Sequence, residues 1–223
     1  MDLAAILTDS ATLTPLTLSA KVLAASGTLQ LLAGVPLAFW LARKRGLLHN
    51  LVDTAVTLPL VFPPVATGFV LLLLLGRNGP ASALFGDNII FGFPGLVVAG
   101  FVAGLPLLVK PVQADLKSAE AAKLTEVAAV LGKSDTVIFF RVLLPCARRS
   151  IMAGLLLALA RSLGEVGMTL MLGGNVIGRT NTLSLEIYNA VFNGEFDRAA
   201  VLSIIIGIAS VSLFTILKKV SDS

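Results

Sequence analysis

The sequence predicts an all-α integral membrane protein with about five transmembrane helices. Of its 223 residues, 56% are hydrophobic and only 13% are charged, and the mean hydropathy is +0.93. Soluble domains carry about 25% charged residues, so most of this chain is too apolar to face water. Five apolar segments are long enough to cross a hydrocarbon core of about 30 Å. We therefore treat residues 1–223 as a single transmembrane domain.

The first predicted span covers about residues 16–41 and is followed at once by the basic residues Arg43, Lys44 and Arg45. The first ten residues contain two aspartates and no lysine or arginine, and the apolar run is too long for a signal peptide. We therefore expect this span to be retained.

The second predicted span, about residues 52–75, contains three prolines: Pro59, Pro63 and Pro64. Each proline removes a backbone donor and disfavours helix in the residue before it, so we expect the span to be interrupted at Pro59 and at Pro63-Pro64. Such a break is tolerated in a membrane only against protein or water.

The other spans are predicted at about residues 93–109, 147–172 and 199–217. A charged island, residues 122–145, separates the third span from the fourth. Leucine, isoleucine and valine recur at helical spacing in Leu183–Phe192, just before Asn-Gly, which predicts an external interfacial helix between the last two spans. Such a helix could simply cap the bundle or form a contact surface for a binding protein that delivers substrate from outside.

Basic residues orient these spans. The segments after the first, third and fifth spans hold three, seven and two Lys or Arg, twelve in all, whereas the opposite side holds only Arg77, Arg179 and Arg198. Positively charged loops stay in the cytoplasm. The count predicts an external amino terminus, a cytoplasmic carboxyl terminus and a cytoplasmic island, in the plasma (inner) membrane of a bacterium or archaeon.

The charged island contains the pattern that most narrows the function. Its key residues are Glu126, Ala128, Ala129, Gly132, Leu144 and Pro145. The first three lie on a predicted helix of one to two turns. Gly132 can stop that helix because glycine tolerates the left-handed backbone of a C-cap. Pro145 closes the loop where the next span begins.

This pattern resembles the EAA loop of permease subunits of ATP-binding-cassette (ABC) importers. The resemblance implies the type I importer permease fold, in which such a loop carries a coupling helix that seats in a groove on the ATPase subunit. Val127 replaces the first alanine of the family pattern. A literal Glu120-Ala121-Ala122 occurs nearby, but Glu126 stands where the pattern needs glycine, so we interpret it as coincidental. The alternative is an ordinary solvated helix between two spans.

The fourth span carries a charged pair within an apolar segment. At 100° per residue, Gly154, Ala158, Arg161 and Glu165 lie within about 60° of one another, with Ser162 at the edge. A charge in the bilayer core costs about 2.5–3.5 kcal/mol on insertion scales, so both charges should face protein or water. They could pair to fix helix packing, or belong to a translocation path or gate. The candidate path residues are Arg161, Ser162, Glu165, Pro63 and Pro64.

Three strings extend the resemblance to molybdate importer permeases: residues 58–64 (LPLVFPP), 160–165 (ARSLGE) and 178–188 (GRTNTLSLEIY). Val166 stands where that family more often has an aromatic residue, and tungstate and sulfate permeases share much of the pattern. The resemblance implies a homodimer, two cytoplasmic ATP-binding subunits and an external molybdate-binding protein. Arg179, Thr180 and Thr182 are possible donors to an anion or partner.

The sequence offers no catalytic constellation: we find neither a Walker-type loop nor a nucleophile with a base. One cysteine and one histidine cannot form a Cys/His metal cluster, and no cofactor is expected. The net charge of +4 reflects basic residues beside spans, so lipid is expected as a partner and nucleic acid is not. ATP hydrolysis is expected on a separate subunit.

Two other classes of function remain open from the residues alone. A secondary transporter or channel is the main alternative, although such transporters commonly show inverted repeats, which we do not find. A membrane enzyme is the third possibility.

Overall fold

The computed structural model describes residues 3–43, 46–81 and 89–222, and every regular element in those ranges is helical. The all-α prediction is confirmed. Helix α1, Leu3–Thr8, leads into α2, Ser10–Leu29. Lys44 and Arg45, two of the basic residues expected after the first span, lie outside the described residues.

The first span is one rod of 34 residues, longer at both ends than expected. It begins where the Asp9 side chain accepts a hydrogen bond from Ala11 N (3.1 Å), the usual arrangement at a helix start. Helix α2 continues through a π-helical turn, Gln30–Gly34, into α3, Val35–Arg43.

The second span is two helices, α4 (Leu47–Val61) and α5 (Pro64–Leu75). The interruption expected at Pro59 is wrong, because that proline lies inside α4. The break expected at Pro63-Pro64 is present. Phe62 there has extended backbone angles (φ −76°, ψ 140°). Two successive prolines supply no N–H, so the helix cannot continue through them.

The third span, α6 (Phe93–Leu116), lies at the centre of the bundle. It continues beyond the predicted end at residue 109, and two prolines within it do not end it. Small residues let other helices approach closely: a Cβ on Gly104 would lie 2.7 Å from Ala158 O, and one on Gly100 would lie 3.2 Å from Ser26 Oγ.

The charged island folds into short helices. They are α7 (Ala119–Val130), α8 (Asp135–Ile138), a π-helical turn (Phe139–Leu143) and α9 (Leu144–Cys146). The last three are followed by α10 (Arg148–Leu163) after a bend of 64°. The end of the bundle that carries α7 is called the coupling end below.

The fourth span, predicted at about residues 147–172, is also broken, a feature that the sequence interpretation did not predict. Helix α10 stops at Leu163, and α11 (Gly167–Gly173) begins after residues 164–166. Glycine costs about 1 kcal/mol relative to alanine in a helix, and Gly164 and Gly167 flank the break.

The remaining helices are α12, Leu183–Phe192, with the predicted bounds, and α13, Phe196–Asp222. Thr182 caps α12 at its start, and Gly194 takes the left-handed conformation (φ +79°) after its end. Only 11% of the most apolar window of α13 is buried, against 61% for α6, so α13 is the peripheral span.

Within the described residues, three helices are long and apolar enough to cross a membrane: Ser10–Arg43, Phe93–Leu116 and Phe196–Lys219. A fourth is added if the bent pair that ends at Leu163 counts as one span. Helices α4 and α5 are each shorter. The arrangement of five spans stays a prediction.

The close approach at Gly104 generates a test of the packing. We expect Gly104→Ala to destabilise the protein by about 1–3 kcal/mol, because the new methyl group would lie 2.7 Å from Ala158 O and 2.3 Å from Gln30 Nε2. Thermal unfolding in detergent measures the effect. Gly207→Ala is the matched control, since no atom lies within 4 Å of a Cβ there. Equal midpoints for the two variants would contradict this packing.

Candidate translocation site

The two broken helices meet where their second halves begin. A Cβ on Gly167, at the start of α11, would lie 2.8 Å from Val65 N and 3.0 Å from Pro64 Cβ. A Cβ on Gly68 would lie 2.9 Å from Met168 Cα. Since only glycine permits these distances, α5 and α11 pack backbone against backbone beside both breaks.

The predicted pair in the fourth span forms, although Glu165 lies beyond the end of α10. Arg161 Nη1 donates to Glu165 Oε2 at 2.5 Å, and Met168 N donates to Glu165 Oε1 at 2.8 Å. The Glu165 side chain is 1% exposed and that of Arg161 is 31% exposed. Glu165 therefore neutralises a half-buried cation and also satisfies a backbone donor at the start of α11.

Ser162 serves helix packing. Its Oγ lies 2.7 Å from Gly100 O and 2.8 Å from Ala158 O, so the hydroxyl joins α10 to α6. Together with Glu165 it also lines a cavity of about 10 Å³, near the lower limit for one water molecule. Other polar side chains on that cavity are Ser19, Thr169 and Thr182.

Gln30 is a buried polar residue that the sequence interpretation missed. It is fully buried, and its Nε2 donates to Gly100 O at 3.0 Å. Its Oε1 has no partner among the described residues. The one indication in the sequence was an amide within an apolar span, where a polar group needs a partner on another helix.

The break in the second span lies on an exposed face. Val61 is 84% exposed, and Phe62 and Pro63 are also exposed. In an unbroken helix the carbonyls of Pro59 and Leu60 would accept from residues 63 and 64, but those residues are prolines with no N–H. The structure thus brings Pro64 to Gly167, leaves Pro63 on the surface and turns Ser162 towards α6.

At the coupling end, α7 has well-defined caps. The Ser118 hydroxyl accepts from Ala121 N at 3.2 Å at its start. At its end Gly132 has φ +71°, Gly132 N donates to Ala129 O (2.9 Å) and Lys133 N donates to Ala128 O (3.1 Å). These two bonds form the Schellman motif, so the role predicted for Gly132 as a helix stop is confirmed.

Helix α7 is longer than the predicted one to two turns, because it has 12 residues and includes Glu120-Ala121-Ala122 in its first half. Its inner face is formed by Ala121 and Ala128, which are buried in the same core cluster as Leu143. Four apolar side chains on the outer side are exposed, a feature that the sequence interpretation missed: Leu124, Val127, Val130 and Leu131. We call them the outer patch of α7.

Of the other predicted coupling residues, Glu126 and Ala129 lie on α7, and Leu144 and Pro145 lie on α9. Glu126 and Ala129 line a cleft of about 330 Å³ together with residues of α3 and α6. Leu144 is half-buried and Pro145 is exposed, both at the start of α9. Spacing of apolar residues by three and four, as in Leu124, Val127 and Leu131, was the available indication of the outer patch.

Two of the three possible anion donors after α11 are engaged in local structure. Thr180 Oγ1 donates to Gly173 O at 2.6 Å and accepts from Val176 N at 2.8 Å. Thr182 Oγ1 accepts from Leu185 N at the start of α12. Both residues are buried, whereas Arg179 is exposed. The Thr180 hydroxyl therefore already donates within the loop, and the role of these residues as donors to an anion or partner stays a prediction.

The family described as "Binding-protein-dependent transport system inner membrane component" matches residues 34–221. This chain belongs to that family, and it is a multi-pass inner-membrane permease subunit. Membership favours the importer over the secondary transporter, the channel and the membrane enzyme.

Three proteins described as molybdenum transport permeases are similar to this chain over most of its length. The chain is 35% identical to "Molybdenum transport system permease protein ModB" of Escherichia coli (strain K12), with 88% of each chain covered. It is 33% identical to the protein of the same description from Haemophilus influenzae, with 91% of each chain covered. A third such protein, from Azotobacter vinelandii, is 37% identical with 77% of each chain covered.

Solved structures agree on the fold. A bacterial alginate ABC transporter, in complex with an alginate pentasaccharide-bound periplasmic protein, contains a chain similar to this one with a TM-score of 0.66 and 19% identity. The alignment covers 97% of this chain and 79% of that one. The predicted fold, that of type I ABC importer permeases, is confirmed.

The buried ion pair generates a second test. We expect Arg161→Ala to impair assembly or transport strongly, because it leaves the almost fully buried Glu165 carboxylate without its cation. Adding Glu165→Gln to that variant removes the unpaired charge and should restore part of the loss. Yield of folded protein and transport rate measure both. Additive losses would show that the two side chains do not interact.

Proposed function

We propose that the chain is the transmembrane permease subunit of an ATP-driven molybdate importer, and that it passes the oxyanion from an external binding protein to the cytoplasm. The relatives named as molybdenum transport permeases support the substrate, since their similarity extends over most of both chains. One observation carries the permease role: two helices are broken side by side, and the break at Phe62 and Pro63 is exposed.

An exposed break requires a polar or protein surrounding. In the hydrocarbon core, irregular backbone is tolerated only where it is covered by protein or lines a water-filled cavity. The freed carbonyls near Phe62 cannot face lipid, and no other part of the described chain covers that residue fully. We infer that this face lines a water-filled translocation path beside α5 and α11, which a second copy of the chain encloses from the other side.

In the proposed path, the positive charge of Arg161 is cancelled by the negative charge of Glu165. The half-exposed guanidinium can attract an oxyanion, while Glu165 compensates it at 2.5 Å. A fully available cation would hold a dianion tightly and slow its release. The pair therefore suits a conduit, and selectivity among oxyanions belongs mainly to the external binding protein.

The outer patch of α7 supports docking of an ATPase subunit. An exposed apolar stripe on a short, capped helix outside the spans is costly in water, and such patches commonly mark protein interfaces. Two copies of the chain present two such helices, which fits two ATP-binding subunits. Glu126, Ala129 and the turn at Gly132 would set the orientation of the helix.

The distribution of basic residues supports the orientation of the chain. Seven of the seventeen Lys and Arg lie between residues 110 and 149, around α7, and three lie on the opposite side. The positive-inside rule then puts α7 and the carboxyl terminus in the cytoplasm and α12 outside. A cytoplasmic α7 is also what an ATP-binding partner requires.

The turn at Gly132 generates a test of coupling. Gly132→Val should lower transport and transport-linked ATP hydrolysis together, because a left-handed backbone costs an ordinary side chain about 1–2 kcal/mol. The end of α7 would then be displaced. Proteoliposomes that contain the permease and its ATPase subunits provide both rates.

Gly132→Asn is the matched control, since asparagine tolerates the left-handed region and no atom lies within 4 Å of a Cβ there. We expect it to retain most of the activity. Normal transport and an unaltered ATPase response in Gly132→Val would show that α7 is not the coupling element.

Transport assays test the proposed substrate. With its ATPase subunits and molybdate-binding protein, the chain should take up labelled molybdate when ATP is on the ATPase side. Excess tungstate should compete more strongly than sulfate. Uptake of sulfate without molybdate or tungstate would contradict the molybdate assignment and favour a sulfate permease, while uptake by the chain alone would contradict the ABC mechanism.

A further inference from the structure

A cleft of about 530 Å³ opens at the end of the bundle opposite the coupling end. Its walls come from the start of α2, the loop after α11, helix α12 and the start of α13. The volume falls in the range of ligand-sized clefts. The lining residues used below are Asn181, Glu186, Phe192, Glu195, Arg198 and Ile177. We call it the Arg198 cleft.

Negative charge is in excess in the Arg198 cleft. Arg198 Nη2 lies 2.9 Å from Glu186 Oε1, and Arg198 Nη1 lies 3.4 Å from Asp9 Oδ2 and 3.9 Å from Glu195 Oε2. One guanidinium thus faces three carboxylates. Glu195 is the farthest of the three and its side chain is 52% exposed, so its charge is the least compensated.

Three polar atoms buried in the wall of the cleft lack hydrogen-bond partners among the described residues, and one of them, Arg198 Nη2, is held only by the ion pair with Glu186. Asn181 is 2% exposed, and its Nδ2 donates to Glu186 Oε2 at 2.6 Å, which fixes its Oδ1 as an acceptor. Among the described residues, neither Asn181 Oδ1 nor Arg198 Nε has a hydrogen-bond partner. Buried polar groups normally have partners, so the wall of the cleft is incompletely hydrogen-bonded in the single chain.

The rim of the cleft is apolar. Ile177 and Phe192 both line it, and each is 81% exposed. Such a rim suits the aliphatic stem of a long side chain, and the ring of Phe192 can also attract a cation. A sulfate-like or molybdate-like anion does not fit, because the carboxylates would repel it.

These features describe a basic side chain on a polypeptide. Its ammonium or guanidinium would meet the exposed Glu195 carboxylate, and its aliphatic stem would pack on Ile177 and Phe192. We propose that the Arg198 cleft receives a lysine or arginine carried on a loop of the external binding protein. The identity of that partner rests on the proposed function and its orientation; the charge and the lining atoms come from the chain itself.

The position of Glu195 is well suited to such a contact. Its backbone N donates to Ala190 O at 2.8 Å after the left-handed Gly194, so the turn that ends α12 holds it in place. The side chain remains free to reorient because its nearest cation is 3.9 Å away. Replacing it therefore changes the charge of the cleft without removing a buried contact.

The test measures how much binding protein is needed to stimulate ATP hydrolysis. Permease and ATPase subunits are reconstituted in nanodiscs, and molybdate-loaded binding protein is titrated. Glu195→Gln should raise the half-maximal concentration about fivefold, the effect of losing an exposed ion pair, with no change in the maximal rate. Glu195→Lys should raise it further, and high salt should reduce both differences.

Asp197→Asn is the matched control. Asp197 lies two residues after Glu195 and is exposed, but it does not line the cleft, so this variant removes the same charge from outside the cleft. It should behave as wild type. Half-maximal concentrations for Glu195→Gln and Glu195→Lys equal to that of Asp197→Asn would overturn the proposal. Failure of the binding protein to stimulate even the wild-type complex would overturn the proposed function and, with it, the partner named here.

Discussion

Backbone hydrogen bonding in the hydrocarbon core is the constraint on which this structure depends. An unbroken helix meets it internally, but this chain breaks two spans, after Val61 and after Leu163. The two breaks are treated differently. At the second break, the buried Glu165 accepts a hydrogen bond from Met168 N and pairs with Arg161. A side chain of the same protein thus satisfies the free backbone donor at the start of α11. At the first, prolines remove donors and the freed carbonyls remain on an exposed face, which demands a partner subunit or water.

Close packing and buried hydrogen bonds among the other helices hold the segments on either side of these breaks in place. Helix α6 is continuous, and its glycines allow α10 to approach within backbone contact at Gly104. Gln30 and Ser162 add polar links to Gly100 O in the same region. At the coupling end, Gln113 joins Asp53 (3.0 Å) to the helix that precedes α7. Only two residues separate α6 from α7, so a displacement of α7 would be transmitted directly to α6.

The features that depend on neighbouring residues in the sequence could be predicted from the sequence alone. Proline chemistry predicted the break at Pro63-Pro64, glycine predicted the stop at Gly132, and apolar periodicity predicted α12 with its bounds. The break at residues 164–166 was not predictable in the same way, because it depends on a side chain that folds back to cap the next helix. The burial of Gln30 likewise depends on α6, which is distant in sequence. The full length of α7 was readable from Ser118, a good N-cap, but the predicted helix began too late.

The central claim is that the break at Phe62 and Pro63 faces a water-filled path between two copies of the chain and not lipid. Cysteine accessibility in the assembled complex tests it most directly, in a background where Cys146 is replaced by serine. Phe62→Cys should react with a membrane-impermeant thiol reagent, and its rate should change with the nucleotide state. Ile208→Cys, exposed in the middle of the peripheral α13, should not react because lipid surrounds it. Equal protection of both positions in every nucleotide state would contradict the account.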